Sequence, residues 1–201
     1  PELMEELVDF ARKRDLFIIS DEVYEKMIYE GKHASALPFD TDGRVVGVFS
    51  VSKSYAMTGW RIGYAVASQA IAEQMVKLQE AYVSCAPSVS QKAAEAALRG
   101  PQDCIETMRR TYQDNMTVAR EILDRHGVSY QIPRGAFYLW IDAGCQDSTE
   151  FARRLLLEKK VSLAPGRTFG PSGERYVRIS LASPRESIQE GLARLTGFLG
   201  K

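Results

Sequence analysis

Lys53 stands in the stretch Ser50-Val51-Ser52-Lys53-Ser54-Tyr55-Ala56-Met57-Thr58-Gly59-Trp60-Arg61-Ile62-Gly63-Tyr64, a single lysine framed by hydroxyls, glycines and one arginine. A lysine amine condenses with a carbonyl to form a Schiff base. Ser50 and Ser52 offer hydrogen-bond donors to a phosphate, and Arg61 can grip that phosphate with two parallel N–H groups. The combination suits a lysine holding a phosphorylated aldehyde. A surface lysine in a serine and glycine loop beside a solvated arginine is the plain alternative.

The cofactor this chemistry implies is pyridoxal phosphate. Upstream, Leu16-Phe17-Ile18-Ile19-Ser20-Asp21-Glu22-Val23-Tyr24 is an apolar run suited to a buried strand that ends abruptly in carboxylates. That places Asp21 at a strand's C-terminal end, the edge where ligands bind in open α/β sheets. A carboxylate there can keep a pyridine nitrogen protonated, so that the ring draws electrons from a substrate carbanion. On its own, Asp-Glu-x-Tyr after an apolar run also describes a helix start with acidic first-turn residues. Downstream, Glu174-Arg175-Tyr176-Val177-Arg178-Ile179-Ser180 alternates as a strand does. Tyr176, Arg178 and Ser180 share one face, so Arg178 lies either on the wet face or in a pocket.

The lysine segment resembles the signature of fold-type I pyridoxal-phosphate enzymes, specifically the class I/II aminotransferases related to aspartate and aromatic aminotransferases. The likeness lies in the order Ser-x-Ser-Lys, then Gly-x-Arg with Arg61 eight residues after Lys53 (61 − 53), then Gly63. The resemblance implies that Tyr24 hydrogen-bonds the cofactor's ring oxygen and that Ser50 and Arg61 hold its phosphate. It also implies that the arginine of Val-Arg-Ile-Ser, Arg178, binds the substrate α-carboxylate as a bidentate pair. Ala164-Pro165-Gly166-Arg167-Thr168-Phe169-Gly170 is similar to the family's loop before that strand; Arg167 departs from the expected small residue and reads as a solvated loop charge. Gly135-Ala136-Phe137-Tyr138-Leu139-Trp140 resembles a small-domain strand near the substrate, with Phe137 and Trp140 read as core.

The reaction so implied moves an amino group from an amino acid to a 2-oxo acid. In it Lys53 anchors the cofactor, is displaced by the incoming amine and shuttles a proton. The same constellation can run β-elimination, as in carbon–sulfur lyases of similar sequence. Two readings from other classes are a regulator, in which such a module is fused to a DNA-binding domain, and an inactive fragment that only self-associates. The resemblance covers essentially the whole chain, which corresponds to about the C-terminal half of such an enzyme. It places the family's glycine/serine phosphate loop and the opening strands outside this sequence, and it implies a homodimer.

The elements that must position these residues follow from periodicity. Glu2 to Lys13 is amphipathic, with Leu3, Leu7, Phe10 and Ala11 on one stripe, and leads into the strand at Leu16. Strands are expected at 44–49 and 64–67, and helices at 69–83, 87–98 and 102–125, the last long enough to connect two domains. This alternation predicts an α/β fold, part of a mostly parallel large-domain sheet with flanking helices, over 1–100. Over 101–201, short strands at 130–132 and 137–141, a helix at 148–158, the arginine strand and a last helix predict a smaller α+β domain. Ser183-Pro184-Arg185-Glu186 reads as a helix start, with Ser183 as N-cap and Glu186 closing a capping box.

Composition narrows the function classes. The 201 residues carry a formal net charge of zero with interleaved signs, so no basic stripe points to nucleic acid. The three cysteines, Cys85, Cys104 and Cys145, have no paired metal spacing and suit a reducing, cytoplasmic setting. No apolar run approaches the roughly 20 residues that span a bilayer. His33 and His126 are solitary, which argues against a catalytic triad or a histidine metal site.

Overall fold

A computed structural model describes residues 1–200 of the chain, which divides into two compact units, Pro1–Glu106 and the segment from Thr107 onward.

The first unit opens with α1 (Glu2–Lys13), whose acidic first turn and basic last turn complement the helix dipole. Its buried face is Val8 and Ala11, with Met4 packed against the cluster of Val8, Ala36 and Val45. The expected stripe of Leu3, Leu7 and Phe10 is exposed instead. The helix carries two apolar stripes, and the one spaced i, i+4, i+7 through Met4, Val8 and Ala11 meets the core.

Next come β1 (Ile18–Asp21), β2 (Val45–Ser50) and β3 (Gly63–Val66), in the order β1-β2-β3. β1 pairs with β2 in parallel, with Ile18 opposite Val45 and Asp21 opposite Val48. β3 runs antiparallel to β2, with Ser50 opposite Gly63, because the chain turns straight back through a short 3-10 turn at Thr58–Trp60. Gly63 is required by close approach, since a Cβ there would stand 2.4 Å from the Phe49 carbonyl oxygen. Asp40 organises the start of β2, accepting from the backbone N–H groups of Gly43, Arg44 and Val45 at 3.0 Å each.

The expected burial of the 16–20 run is corrected. Phe17 is 71 % exposed and Ile19 76 %, while Ile18 packs on the core cluster. Among the described residues β1 pairs on one side only, with β2, and period-two alternation turns every second apolar residue away from the core cluster. After the one-turn helix α2 (Val51–Ser54) and β3 come α3 (Gln69–Val83) and α4 (Ser88–Arg99). α3 buries none of its residues and leaves Met75, Val76, Leu78, Tyr82 and Val83 exposed, a larger apolar surface than scattered single residues.

Helix α5 (Asp103–Arg125) carries the chain into the second unit. There β4 (Tyr130–Gln131), β5 (Tyr138–Asp142), β6 (Ala164–Pro165) and β7 (Tyr176–Ser180) form an antiparallel sheet in the order β4-β5-β7-β6. α6 (Ser148–Lys159) is capped by Asp147, whose carboxylate accepts from the Glu150 N–H at 2.8 Å. α7 is Arg185–Phe198. Leu139, Ile141, Leu155, Val177, Leu181 and Leu195 are fully buried and form the unit's interior.

The capping box expected at Ser183 is not formed. Pro184 occupies the N-cap position of α7 and no side chain caps the helix. Buried Asn115 instead donates to the carbonyls of Leu181 at 2.9 Å and Ser183 at 3.2 Å. The approach to α7 is fixed from α5 by this amide, which satisfies two carbonyls and not the first-turn N–H groups that a cap would serve.

Candidate active site

Lys53 lies on α2, which follows β2 without a break. Val51 and Ser54 are the buried residues of that turn, so Lys53 stands half-exposed beyond the end of β2. Its Nζ lies 5.7 Å from the ring centroid of Tyr24, within cation–π reach. Tyr24 belongs to the turn that leaves β1, where the Glu25 N–H donates to the Glu22 carbonyl at 3.0 Å.

Asp21 is the last residue of β1 and is exposed; its Oδ1 accepts a long 3.4 Å bond from the Val23 N–H. The parallel register that sets Asp21 opposite Val48 brings Asp21 and Ser50 to the same C-terminal edge of the pair. Ser50 caps α2: its Oγ accepts from the Ser52 N–H at 3.1 Å and donates to the Ile62 carbonyl at 3.2 Å. This hydroxyl ties the lysine turn to the start of β3.

Arg61 adopts a left-handed backbone, φ 51° and ψ 49°, where the chain leaves the Thr58–Trp60 turn. A non-glycine residue holds that conformation at a cost of about 1 kcal/mol. Its exposed guanidinium donates from Nη1 to the Thr58 carbonyl at 2.8 Å, using one of several N–H donors. The structure therefore gathers Lys53 with Tyr24, and Asp21 with Ser50, on one strand edge, and sets Arg61 two residues ahead of Gly63, the register partner of Ser50.

Tyr55 and Tyr64 also belong to this region. The Tyr55 hydroxyl donates to Gln102 Oε1 at 2.7 Å, and burial pushes its phenol above the ordinary value. Burial raises Tyr64 likewise, and its ring stacks on Phe49 at 5.1 Å.

A buried acid was missed in the sequence. Glu22 is 3 % exposed and accepts from the Ser35 hydroxyl at 2.6 Å, with His33 Nε2 at 2.7 Å. Burial alone would raise its carboxyl; the hydrogen bonds from Ser35, His33 and Ser20 and the nearby His33 charge outweigh it and hold the group below the ordinary value. His33 is thus not solitary. The available signal was alternation: beside an outward Asp21, Glu22 must face inward and needs donors.

In the second unit Arg178 is half-buried on β7, opposite Trp140 of β5 and Ala164 of β6. Its guanidinium carbon lies 4.0 Å from the Tyr138 ring centroid and 4.2 Å from that of Phe169. Phe137 is buried as expected, whereas Trp140 is half-exposed, stacking on Tyr176 and meeting Phe169 edge-on. Phe169 is delivered by the loop after β6, where a Cβ on Gly166 would stand 2.1 Å from the Gly173 carbonyl oxygen. Arg167 is mostly exposed but ion-paired, Nη1 to Glu174 Oε2 at 3.0 Å.

A groove of about 340 Å³ in the same unit is lined by residues 160–163, Ile179, Ser180 and α7, and holds none of the candidate residues. Among the described residues no three His, Cys, Asp or Glu side chains form a metal site, and no helix is long and apolar enough to cross a membrane.

Residues 1–195 match the family model described as "Aminotransferase class I and II". A putative aminotransferase of Bacillus subtilis is 37 % identical over all of this chain and 53 % of its own length. An aspartate aminotransferase of Pyrococcus abyssi is 40 % identical over 98 % of this chain and 52 % of its own. Among solved structures, an aromatic aminotransferase from Pyrococcus horikoshii matches with a TM-score of 0.90 at 37 % identity, over 98 % of this chain and 54 % of that one. The chain spans about half the length of the curated relatives it matches.

Proposed function

The chain belongs to the class I and II aminotransferases, and from that premise we propose that the whole protein is a pyridoxal-phosphate-dependent aminotransferase, transferring an amino group between an amino acid and a 2-oxo acid. The observation that carries this reading is Lys53 Nζ beside the Tyr24 ring, at the strand edge that also bears Asp21 and Ser50. The donor set suits the cofactor's chemistry: an amine for its aldehyde, a carboxylate for its ring nitrogen, and a hydroxyl and guanidinium for its phosphate. When bound, pyridoxal phosphate supplies an electron sink for a substrate carbanion.

In this reading the chain's own groups have separate tasks. Lys53 holds the aldehyde carbon and, once released, moves a proton at its Nζ. Asp21, exposed at the end of β1, keeps a proton on the ring nitrogen, and Tyr24 supports the ring oxygen with its phenol. Ser50 and Arg61 would hold the phosphate; here the Ser50 hydroxyl donates to the Ile62 carbonyl. Arg178 orients the α-carboxylate with the edge of its guanidinium. The first unit is read as part of the cofactor-binding large domain and the second as the small domain.

The relatives described above are named for amino transfer, which favours transfer over β-elimination. Their names differ in amino acid, from aspartate to aromatic substrates, so side-chain selectivity is not a family constant. We further read the protein as a cytoplasmic homodimer. Unpaired Cys85, Cys104 and Cys145 suit a reducing compartment, and the bare apolar face of α3 suits burial against a further surface, in the rest of the whole protein or in a second copy. The test is amino transfer by the complete protein across a panel of amino donors and 2-oxo acids. The reading expects turnover that Lys53→Ala abolishes; release of ammonia without transfer would favour elimination.

A further inference from the structure

Glu22 is the one carboxylate in the buried interior among the described residues, and the proposed chemistry does not use it. Its backbone and side chain hold two different things. The Glu22 N–H donates to the Val48 carbonyl at 2.8 Å, carrying the parallel ladder one residue past β1, and its own carbonyl opens the turn that contains Tyr24. Its side chain meanwhile reaches the 33–35 segment through His33 Nε2 and Ser35 Oγ. The tether continues inward, since Ser35 Oγ accepts from the Leu37 N–H at 3.2 Å, and Ala36 and Leu37 belong to the core cluster.

We propose that Glu22 is a positioning residue for the cofactor site: its buried carboxylate, held by His33 and Ser35, fixes the strand end and turn that carry Asp21 and Tyr24. This rests on the functional reading above. The physical ground is that a buried carboxylate persists only where donors converge on it, and such charge-assisted bonds are short and directional. Asp21 immediately precedes Glu22 and Tyr24 follows two residues later, so freedom at Glu22 passes directly to both. A glutamine there keeps the shape but replaces one acceptor oxygen with an amide NH2 and removes the charge that strengthens both bonds.

The test compares Glu22→Gln and Ser35→Ala with wild type and with Val8→Ala, a variant of the core cluster that destabilises the unit but leaves every hydrogen bond of the tether in place. The readouts, in the complete protein, are pyridoxal-phosphate affinity, the pH dependence of the bound cofactor's visible absorbance, and amide hydrogen exchange at residues 21–26. Glu22→Gln is expected to weaken affinity about tenfold, to displace the absorbance transition, and to speed exchange in the turn. Val8→Ala at equal loss of thermal stability should leave the absorbance transition in place. The proposal is overturned if Glu22→Gln keeps wild-type exchange and affinity, or if it changes them no more than Val8→Ala does. Wild-type protein that takes up no cofactor defeats the functional reading instead, while the exchange comparison still decides whether Glu22 holds the turn.

Discussion

The guanidinium of Arg178 rests against the ring of Tyr138, 4.0 Å from guanidinium carbon to ring centroid, with the Phe169 ring at 4.2 Å. Two rings this close hold the guanidinium by cation–π attraction, and a guanidinium can present paired N–H groups to a planar anion. A bidentate carboxylate partner suits that pair, and a lysine at the same position would supply neither the plane nor the fork.

Arg178→Lys should therefore lower kcat/KM for the amino donor by roughly 10- to 100-fold, the worth of a lost charge-assisted pair. Phe169→Leu should raise KM by about threefold with little change in kcat, since an exposed cation–π contact contributes about 0.5–1 kcal/mol. Steady-state kinetics check both; equal losses in kcat and KM effects at the two positions would contradict the assignment.

The Glu22 carboxyl, held below its ordinary 4.5, carries a pH signature. Because its folded value is depressed, the stability it contributes is fully present above 4.5 and is lost as pH falls through the folded value. His33 is the other ionisable group facing it. Chemical denaturation across pH 3 to 7, a range set by about the ordinary carboxylate value, should show a shallower acid limb in Glu22→Gln than in wild type. Parallel acid limbs would contradict this linkage.

Asn115 bonds two backbone carbonyls from a buried position. Asn115→Ala should destabilise the second unit by about 2–3 kcal/mol, lowering its Tm by roughly 8–24 °C. Ser183→Ala should cost less than about 0.5 kcal/mol, against the ~1 kcal/mol of a lost N-cap. Thermal melts of both variants test this, and a larger loss from Ser183→Ala would restore the capping box.

Gly166 and Gly173 approach closely, so Gly166→Ala must move the loop that carries Phe169. The expected result is a raised KM for the amino donor together with a lowered Tm, and unchanged kinetics would show the loop to be tolerant.

Regular elements were legible where one periodicity acted alone. The helix expected at 69–83 is α3, Gln69–Val83, because propensity and flanking turn residues agree there. The placement of Lys53, Asp21 and Arg178 was legible because each sits on a strand or at its end. Failures arose where partners lie far along the chain. Ser183 has the local pattern of a cap, but α7 starts at Arg185 with Pro184 in the N-cap position, and the Ser183 carbonyl is held by Asn115 from another helix. His33 looked solitary since its acid is 11 residues away, and the apolar run before Asp21 gave no sign of which face would find a core.

The central claim is that Lys53 forms the cofactor linkage, and reductive trapping tests it most directly. The complete protein would be incubated with pyridoxal phosphate, reduced with borohydride, and digested for peptide mass mapping, beside a Lys53→Ala control. The account predicts label confined to the peptide bearing Lys53 and absent from the variant. Label spread over surface lysines, equal in wild type and Lys53→Ala, would contradict it.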